Sequence, residues 1–299
     1  MPTPRGGGLA IVVIWFLALA VLILLHSLDE WVGLALLGGG VAVAAVGWLD
    51  DRRGMPAGVR ALVHVLAAGW GVWCLGGLPS LNLGVAVVPL GLGGSLLAVV
   101  GIVWLINLYN FMDGIDGLAA GEAVGVGLVG GVLLAAAGAP GLSLGALALA
   151  AAAGGFLVFN WPPAKIFMGD VGSGLLGYAF GVVALASERA GTVPLVVWVI
   201  LLAVFIVDAT ATLIHRVLNG ERWFEAHRSH AYQRAVQTEY SHRDVTLAVM
   251  GLNGLLAVVA TGAWLVPALF PAVLVVTAGG LVGVWYWFCC SRAVRPSSN

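Results

Sequence analysis

Apolar residues run along this chain in ten stretches, with the polar residues gathered between them. The stretches cover residues 9–28, 32–49, 59–78, 93–111, 118–137, 142–160, 172–187, 193–215, 245–265 and 268–288. A helix crosses a bilayer with roughly 20 apolar residues. The pattern therefore predicts an all-α, polytopic integral membrane protein with about ten transmembrane helices, built as one domain over residues 1–299. Two segments break the rhythm. Residues 79–92 alternate in Leu81-Asn82-Leu83-Gly84-Val85-Ala86-Val87-Val88, which predicts a small hairpin. Residues 216–244 are the largest polar connection. There, Glu221 to Gln237 mixes Trp223, Phe224 and Tyr232 with arginines. That mixture suits an interfacial segment with aromatics at headgroup level, and an ordinary amphipathic linker has the same look.

Charge orients these helices. With the N-terminus in the cytosol, the inside segments hold Arg5, Arg52, Arg53, Arg60, Lys165, Arg216, Arg222, Arg228, Arg234, Arg243, Arg292 and Arg295, and only Arg189 falls outside. Basic residues favour the cytosolic side of short loops, so this is the expected orientation, with both termini inside. Hydrophobic residues make up 61% of the 299 positions and charged residues 9%, far below the roughly 25% charged of soluble domains. A net charge of −1 provides no basic field for nucleic acid. Cys74, Cys289 and Cys290 are too few for a disulfide framework. The 44 glycines read as close helix packing. No internal repeat and no cleavable signal peptide is expected.

The few polar residues concentrate at the helix ends assigned to the cytosol. Asp50-Asp51 closes the second stretch; two adjacent carboxylates repel, so one is expected to have a raised pKa unless a cation or metal stands by. The pair reads either as metal- or proton-handling or as an exposed helix end partnered by Arg52 and Arg53. Asn107, Asn110 and Asp113 recur every third residue and Asp116 follows. At helical spacing Asn107 and Asn110 share a face, and amides in an apolar span are costly without partners. A polar turn would account for Asp113 and Asp116 but not for these amides. Asn160 ends another stretch before Pro162-Pro163; Lys165, the single lysine, follows, and Asp170 opens the next stretch. Asp carboxylates and Asn carbonyls are hard oxygen ligands that suit Mg²⁺, which usually keeps waters and binds substrate phosphates. The segment from Gly169 to Gly174 lacks the ending of a phosphate-binding Walker loop, and a helix cap explains it equally. His227 and His230 share a face if their loop is helical. They suit zinc, or hydrogen bonds to a diphosphate or sugar; with Arg228 between them the anion role is preferred. Asp208 lies inside a span and is a functional candidate on that ground, with Thr210, Thr212 and His215 as a structural partner set. Glu122 and His64 are expected to be non-catalytic.

Taken together these motifs resemble the polyprenyl-phosphate N-acetylhexosamine-1-phosphate transferases, the superfamily of glycosyltransferase family 4 that includes phospho-N-acetylmuramoyl-pentapeptide transferase. Five places match in order, from Pro4-Arg5-Gly6-Gly7-Gly8 to His227-Arg228-Ser229-His230-Ala231-Tyr232-Gln233-Arg234, over about three quarters of the chain. The histidine segment is most similar to the bacterial O-antigen and exopolysaccharide initiators. The resemblance implies transfer of a sugar 1-phosphate from a UDP-N-acetylaminosugar to undecaprenyl phosphate, with release of UMP. The implied place is the cytosolic face of the bacterial inner membrane. It implies Asp50 and Asp51 as the catalytic pair on the lipid phosphate, Asn110 and Asp170 as ligands of Mg²⁺ or Mn²⁺, and Asn107, Asp113, Asp116, Asn160, Lys165, His227, Arg228 and His230 as substrate-binding residues. Membrane lipid and a second copy of the chain in a homodimer are the further expected partners. Direct attack by the lipid phosphate and a covalent aspartyl intermediate both fit. The family enters its Pro-Arg-Gly-Gly segment from an additional apolar helix, whereas here only three residues separate Met1 from Arg5, so a shortened start is expected. A truncated, inactive or regulatory homologue is one alternative. A secondary transporter is another, but it would carry polar groups at mid-depth on broken helices.

Overall fold

The computed structural model describes residues 3–222, 227–238 and 240–291. Within them the apolar stretches become helices α1 (Gly8–Leu24), α2 (Glu30–Arg53), α3 (Ala57–Cys74), α4 (Gly91–Met112), α5 (Leu118–Ala136), α6 (Pro140–Asn160), α7 (Asp170–Arg189), α8 (Leu195–Leu201), α9 (Ala203–Leu218), α11 (His242–Leu265) and α12 (Phe270–Tyr286). The short α10 (Ala231–Thr238) lies in the polar connection. Eight of the described helices are long and apolar enough to cross a membrane, the last of them continuing to Ser291, and the pair α8–α9 makes a ninth. Helix α1, with 17 residues, is apolar but shorter than these spans.

Two expectations need correction. The span expected over 193–215 is broken: α8 and α9 meet at Leu202 with a bend of 76°. Neither proline nor glycine stands between Ile200 and Ala203, so packing, not local sequence, sets the bend; α8 lies on α11 while α9 lies on α4 and α12. Tyr232, expected at headgroup level, is only 4% exposed. Its hydroxyl donates to the Phe111 carbonyl at 2.7 Å, so its polar tip is satisfied inside the protein. Trp223 and Phe224 lie outside the described residues. The predicted hairpin is present: β1 (Ser80–Asn82) pairs antiparallel with β2 (Val87–Pro89), Leu81 opposite Val88.

Helix α7 is the axis of the bundle. Every residue from Val171 to Ser187 is buried, with α1, α2 and α4 packed around it. Glycine permits this proximity, as small residues do in membrane helices generally. A Cβ on Gly47 of α2 would stand 2.5 Å from the Asp170 carbonyl oxygen, and one on Gly8 of α1 would stand 2.5 Å from Gly172 Cα. Tyr178, midway along α7, donates its hydroxyl to the Ala35 carbonyl at 2.7 Å. At the far end, Glu188 accepts from the backbone N–H of Asn82 and of Leu195, both at 2.7 Å, and so ties the hairpin and the start of α8 to α7. We predict that Gly47→Val forces α2 off α7. Overpacking of this kind costs about 1–3 kcal/mol, so the thermal midpoint in detergent should drop. A variant with an unchanged midpoint would show that the two helices do not depend on this close approach.

The N-terminal segment is held like an added strand. The N–H groups of Gly7 and Gly8 donate to the carbonyls of Phe167 and Met168, both at 3.0 Å, and the Phe167 N–H donates to the Pro4 carbonyl at 2.9 Å. This brings Arg5 to the end of the bundle where α2, α4 and α6 finish and α7 begins.

Candidate active site

At that end a cavity of about 570 Å³ opens between the helix termini. Asp51, Asn110, Asp113, Asp116, Asn160, Asp170, His227 and Arg228, all singled out from sequence, line it together with Arg5 and Phe167. The polar residues that end separate apolar runs therefore converge on one space.

The acidic pair divides. Asp51 faces the cavity and holds the first turn of α7: its two oxygens accept from the N–H groups of Asp170 at 3.0 Å and Val171 at 3.1 Å. A carboxylate at a helix N-terminus satisfies unpaired donors and complements the helix dipole. Asp50 is not among the cavity residues; it accepts from the Met55 N–H, pairs with Arg60 of α3 and stands against the Asp170 carboxyl. Arg60 also reaches Asp170 at 3.1 Å. The expected cation beside the pair is thus Arg60, not Arg52 or Arg53; Arg52 lies over the Trp48 ring, 4.3 Å from its centroid.

Asn110 donates to Asp170 Oδ1 at 2.7 Å and to Ser173 Oγ at 3.2 Å, which joins the end of α4 to the start of α7. Asn107 behaves differently. Its amide donates back to the Val103 carbonyl of its own helix at 2.7 Å, and it is not among the cavity residues. Asp113, just past α4, faces Asp170 and Asp51. Burial first, then the negative charges of Asp170 and Asp51, raise its carboxyl well above the usual carboxylate range.

Asp116 and Asn160 brace the loops. Asp116 accepts from the Ala164 N–H at 2.9 Å and stands 3.3 Å from His242 Nδ1. Asn160, 3% exposed, accepts from the Gly117 N–H and donates to the Ile166 carbonyl, each at 2.9 Å. Lys165 lines a separate apolar groove beside Gly7 and Phe156 and stays outside the cavity. His227 lines the cavity; burial foremost, then the His230 and Arg216 charges, lower it to about 4. It is therefore neutral at pH 7 and acts as a hydrogen-bonding group. His230 is 3% exposed and stands behind His227, their ring centroids 4.9 Å apart. Glu122 is fully buried in α5, where it accepts from Asn253 of α11.

Sequence reasoning did not pick out Arg60, Gln233, Gln237 or His242. Gln233 and Gln237 sit at i and i+4 on α10, a spacing that puts them on one face, and both line the cavity with His242. Among the described residues no three His, Cys, Asp or Glu side chains could hold a metal ion between them. Mg²⁺ does not require three: it is usually held by one or two carboxylates, waters and substrate phosphates. Asp170 and Asn110 supply such oxygens, with the Asp51 and Asp113 carboxyls on the same cavity wall. The donor set fits.

Comparison with known proteins agrees with this geometry. Residues 33–188 match the family model described as glycosyl transferase family 4. The chain is 33% identical over 257 residues, 82% of its length and 69% of the relative's, to the "Probable undecaprenyl-phosphate N-acetylglucosaminyl 1-phosphate transferase" of Bacillus subtilis (strain 168). It is 31% identical over 290 residues, 86% of its length and 71% of the relative's, to the decaprenyl-phosphate N-acetylglucosaminephosphotransferase of Mycobacterium tuberculosis (strain ATCC 25618 / H37Rv). It is 34% identical over 195 residues, 64% of its length and 52% of the relative's, to the phospho-N-acetylmuramoyl-pentapeptide-transferase of Moorella thermoacetica (strain ATCC 39073 / JCM 9320). A helical membrane bundle with its acidic and amide side chains gathered at one end, matched in this way, belongs to glycosyl transferase family 4 and is a glycosyl-1-phosphate transferase.

Proposed function

We propose that the protein transfers the sugar 1-phosphate of a UDP-N-acetylaminosugar to undecaprenyl phosphate at the cytosolic face of the bacterial inner membrane. The product starts a lipid-linked glycan of the O-antigen or cell-envelope type. The observation that carries this reading is the convergence of Asp51, Asn110, Asp113, Asp116 and Asp170 on one polar cavity at the end of an apolar bundle. A lipid-borne acceptor lies in the membrane and a nucleotide sugar lies in water, so the reacting groups belong at helix ends. A transporter would carry its site at mid-depth on broken helices, whereas the residues that line this cavity stand at helix ends.

In this reading an oxygen of the lipid phosphate attacks the β-phosphorus of the UDP-sugar. The bond from that phosphorus to the bridging oxygen breaks, and UMP leaves with that oxygen. Phosphoryl transfer needs mainly positioning and charge neutralisation. Asp170 and Asn110 would hold Mg²⁺, which supplies charge neutralisation on the diphosphate. Asp51 faces the cavity, so a base acting on the lipid phosphate falls to Asp51 rather than to the Arg60-paired Asp50. Arg5 and Arg228 offer charge to the diphosphate, and neutral His227 offers a hydrogen bond. Release of labelled UMP across a panel of UDP-sugars, with undecaprenyl phosphate present and absent, tests the reading. Lipid-dependent release with at least one N-acetylaminosugar is the expected result; uptake of sugar into proteoliposomes without UMP release would replace it with transport.

Orientation is tested separately. In a cysteine-free background, Ser229→Cys should be labelled by an impermeant thiol reagent from the cytosolic side alone, and Ser80→Cys from outside alone. The reverse pattern would put the cavity away from cytosolic nucleotide sugars.

A further inference from the structure

Asp208 sits inside α9, 6% exposed, and a carboxylate at such a position is expensive unless other groups hold it. Its sequence neighbours supply one of its partners: the Thr212 hydroxyl lies 3.2 Å from Oδ1. Trp285 Nε1, which can only donate, lies 2.8 Å from the same Thr212 oxygen. Thr212 therefore accepts from Trp285 and turns its own hydrogen to Asp208. The remaining partners come from the histidine loop. Oδ1 accepts from the Ala231 N–H at 2.9 Å and Oδ2 from the Tyr232 N–H at 3.2 Å, so a carboxylate from a different helix caps α10. His230 Nδ1 stands 3.4 Å from Oδ1.

The loop held in this way reaches the cavity. His230 backs His227, whose ring lines the cavity wall. His230 also stacks on Phe111 at 6.1 Å, and the Tyr232 hydroxyl bonds the Phe111 carbonyl one residue past Asn110. We infer that Asp208 is a positioning residue for the donor-binding wall: from within the membrane helix it fixes the N-terminus of α10 and the His230 ring, and through them it places His227 over the cavity. The inference rests on the reading of the cavity as the nucleotide-sugar site.

The test is the steady-state kinetics of Asp208→Asn in purified enzyme, with donor and lipid acceptor varied separately. An Asn presents one acceptor and one amide where two N–H groups and an imidazole converge, so at least one charge-assisted bond is lost. The expected result is a donor KM raised about tenfold or more with the acceptor KM unchanged. A purely structural role would lower the active fraction, and hence kcat, and leave both KM values alone. In a cycle with His230→Gln the two donor-KM effects should be clearly non-additive if Asp208 acts through that ring. If Asp208→Asn cannot be purified folded, Thr212→Val decides, because it keeps the carboxylate and removes one of its donors: a raised donor KM supports the role. An active wild type whose variant shows an unchanged donor KM, or equal rises in both KM values, overturns the role of Asp208 and leaves the activity standing. Absence of UMP release by the wild type with every donor overturns the activity itself, and the inference with it.

Discussion

Replacing Asp170 with Asn is expected to abolish turnover while the bundle stays folded. Asp170 touches groups from three other elements: Asn110 of α4 at 2.7 Å, Arg60 of α3 at 3.1 Å, and Asp51 of α2 through its own backbone N–H at 3.0 Å. The last contact uses the main chain, so it survives the substitution, and the cap of α7 survives with it. What is lost is the negative charge at the centre of the site. Removing a single electrostatic group from a preorganised site costs about 10²–10³ in rate; if Asp170 holds the proposed cation, its loss should cost at least the upper figure. Two measurements check this. The variant should keep the wild-type thermal midpoint within a few degrees and release no measurable UMP, and the wild type should lose activity to excess chelator and recover it with Mg²⁺ or Mn²⁺. Full activity in chelator would remove the metal from the proposal.

The second large effect is expected from the acidic pair, and it should be unequal. Asp51→Asn should lower kcat by about 10²–10⁴, the scale of general-base loss. It should also lower stability slightly, because the amide caps only one of the two N–H groups that the carboxylate holds. Asp50→Asn removes the partner of Arg60 and reaches the cavity only through Arg60 and the Asp170 carboxyl, so its loss should be smaller. Near-normal rates in both variants would reduce the pair to a helix cap and an ion pair. A larger loss at Asp50 would move the base to that side and make Arg60 its modulator.

Much of this was legible in the sequence, for a physical reason. A membrane helix conceals its length in nothing: apolar runs near 20 residues appear in the structure as α1 to α7, α11 and α12, within a few residues of their expected ends. Polar residues that close such runs have few places to go, so Asp51, Asn110, Asp113, Asp116, Asn160 and Asp170 meet. The misreadings arose where a side chain had a local choice or a distant partner. Asn107 shares a helical face with Asn110, yet its amide found the carbonyl four residues back, an option open to any polar side chain in a helix. Asp208 appeared to have Thr210, Thr212 and His215 as partners; only Thr212 is used, and the rest come from a loop more than 20 residues on. The bend at Leu202 has no local mark. Arg60 could not be assigned to Asp50 and Asp170 because that bridge joins three elements whose mutual placement no spacing reveals.

The burial of α7 has a bearing on where the bilayer acts. The helix that carries Asp170 is buried from Val171 to Ser187, wrapped by its neighbours along both faces. Hydrocarbon chains therefore press on α3, α11 and α12, whose flanks are largely exposed, and not on the element that bears the central carboxylate. A thicker or thinner membrane tilts the outer ring, while the depth of Asp170 is set by glycine contacts inside the protein. The site is thereby referenced to its own scaffold, and the lipid acceptor must come up to a fixed height instead of the enzyme following the membrane.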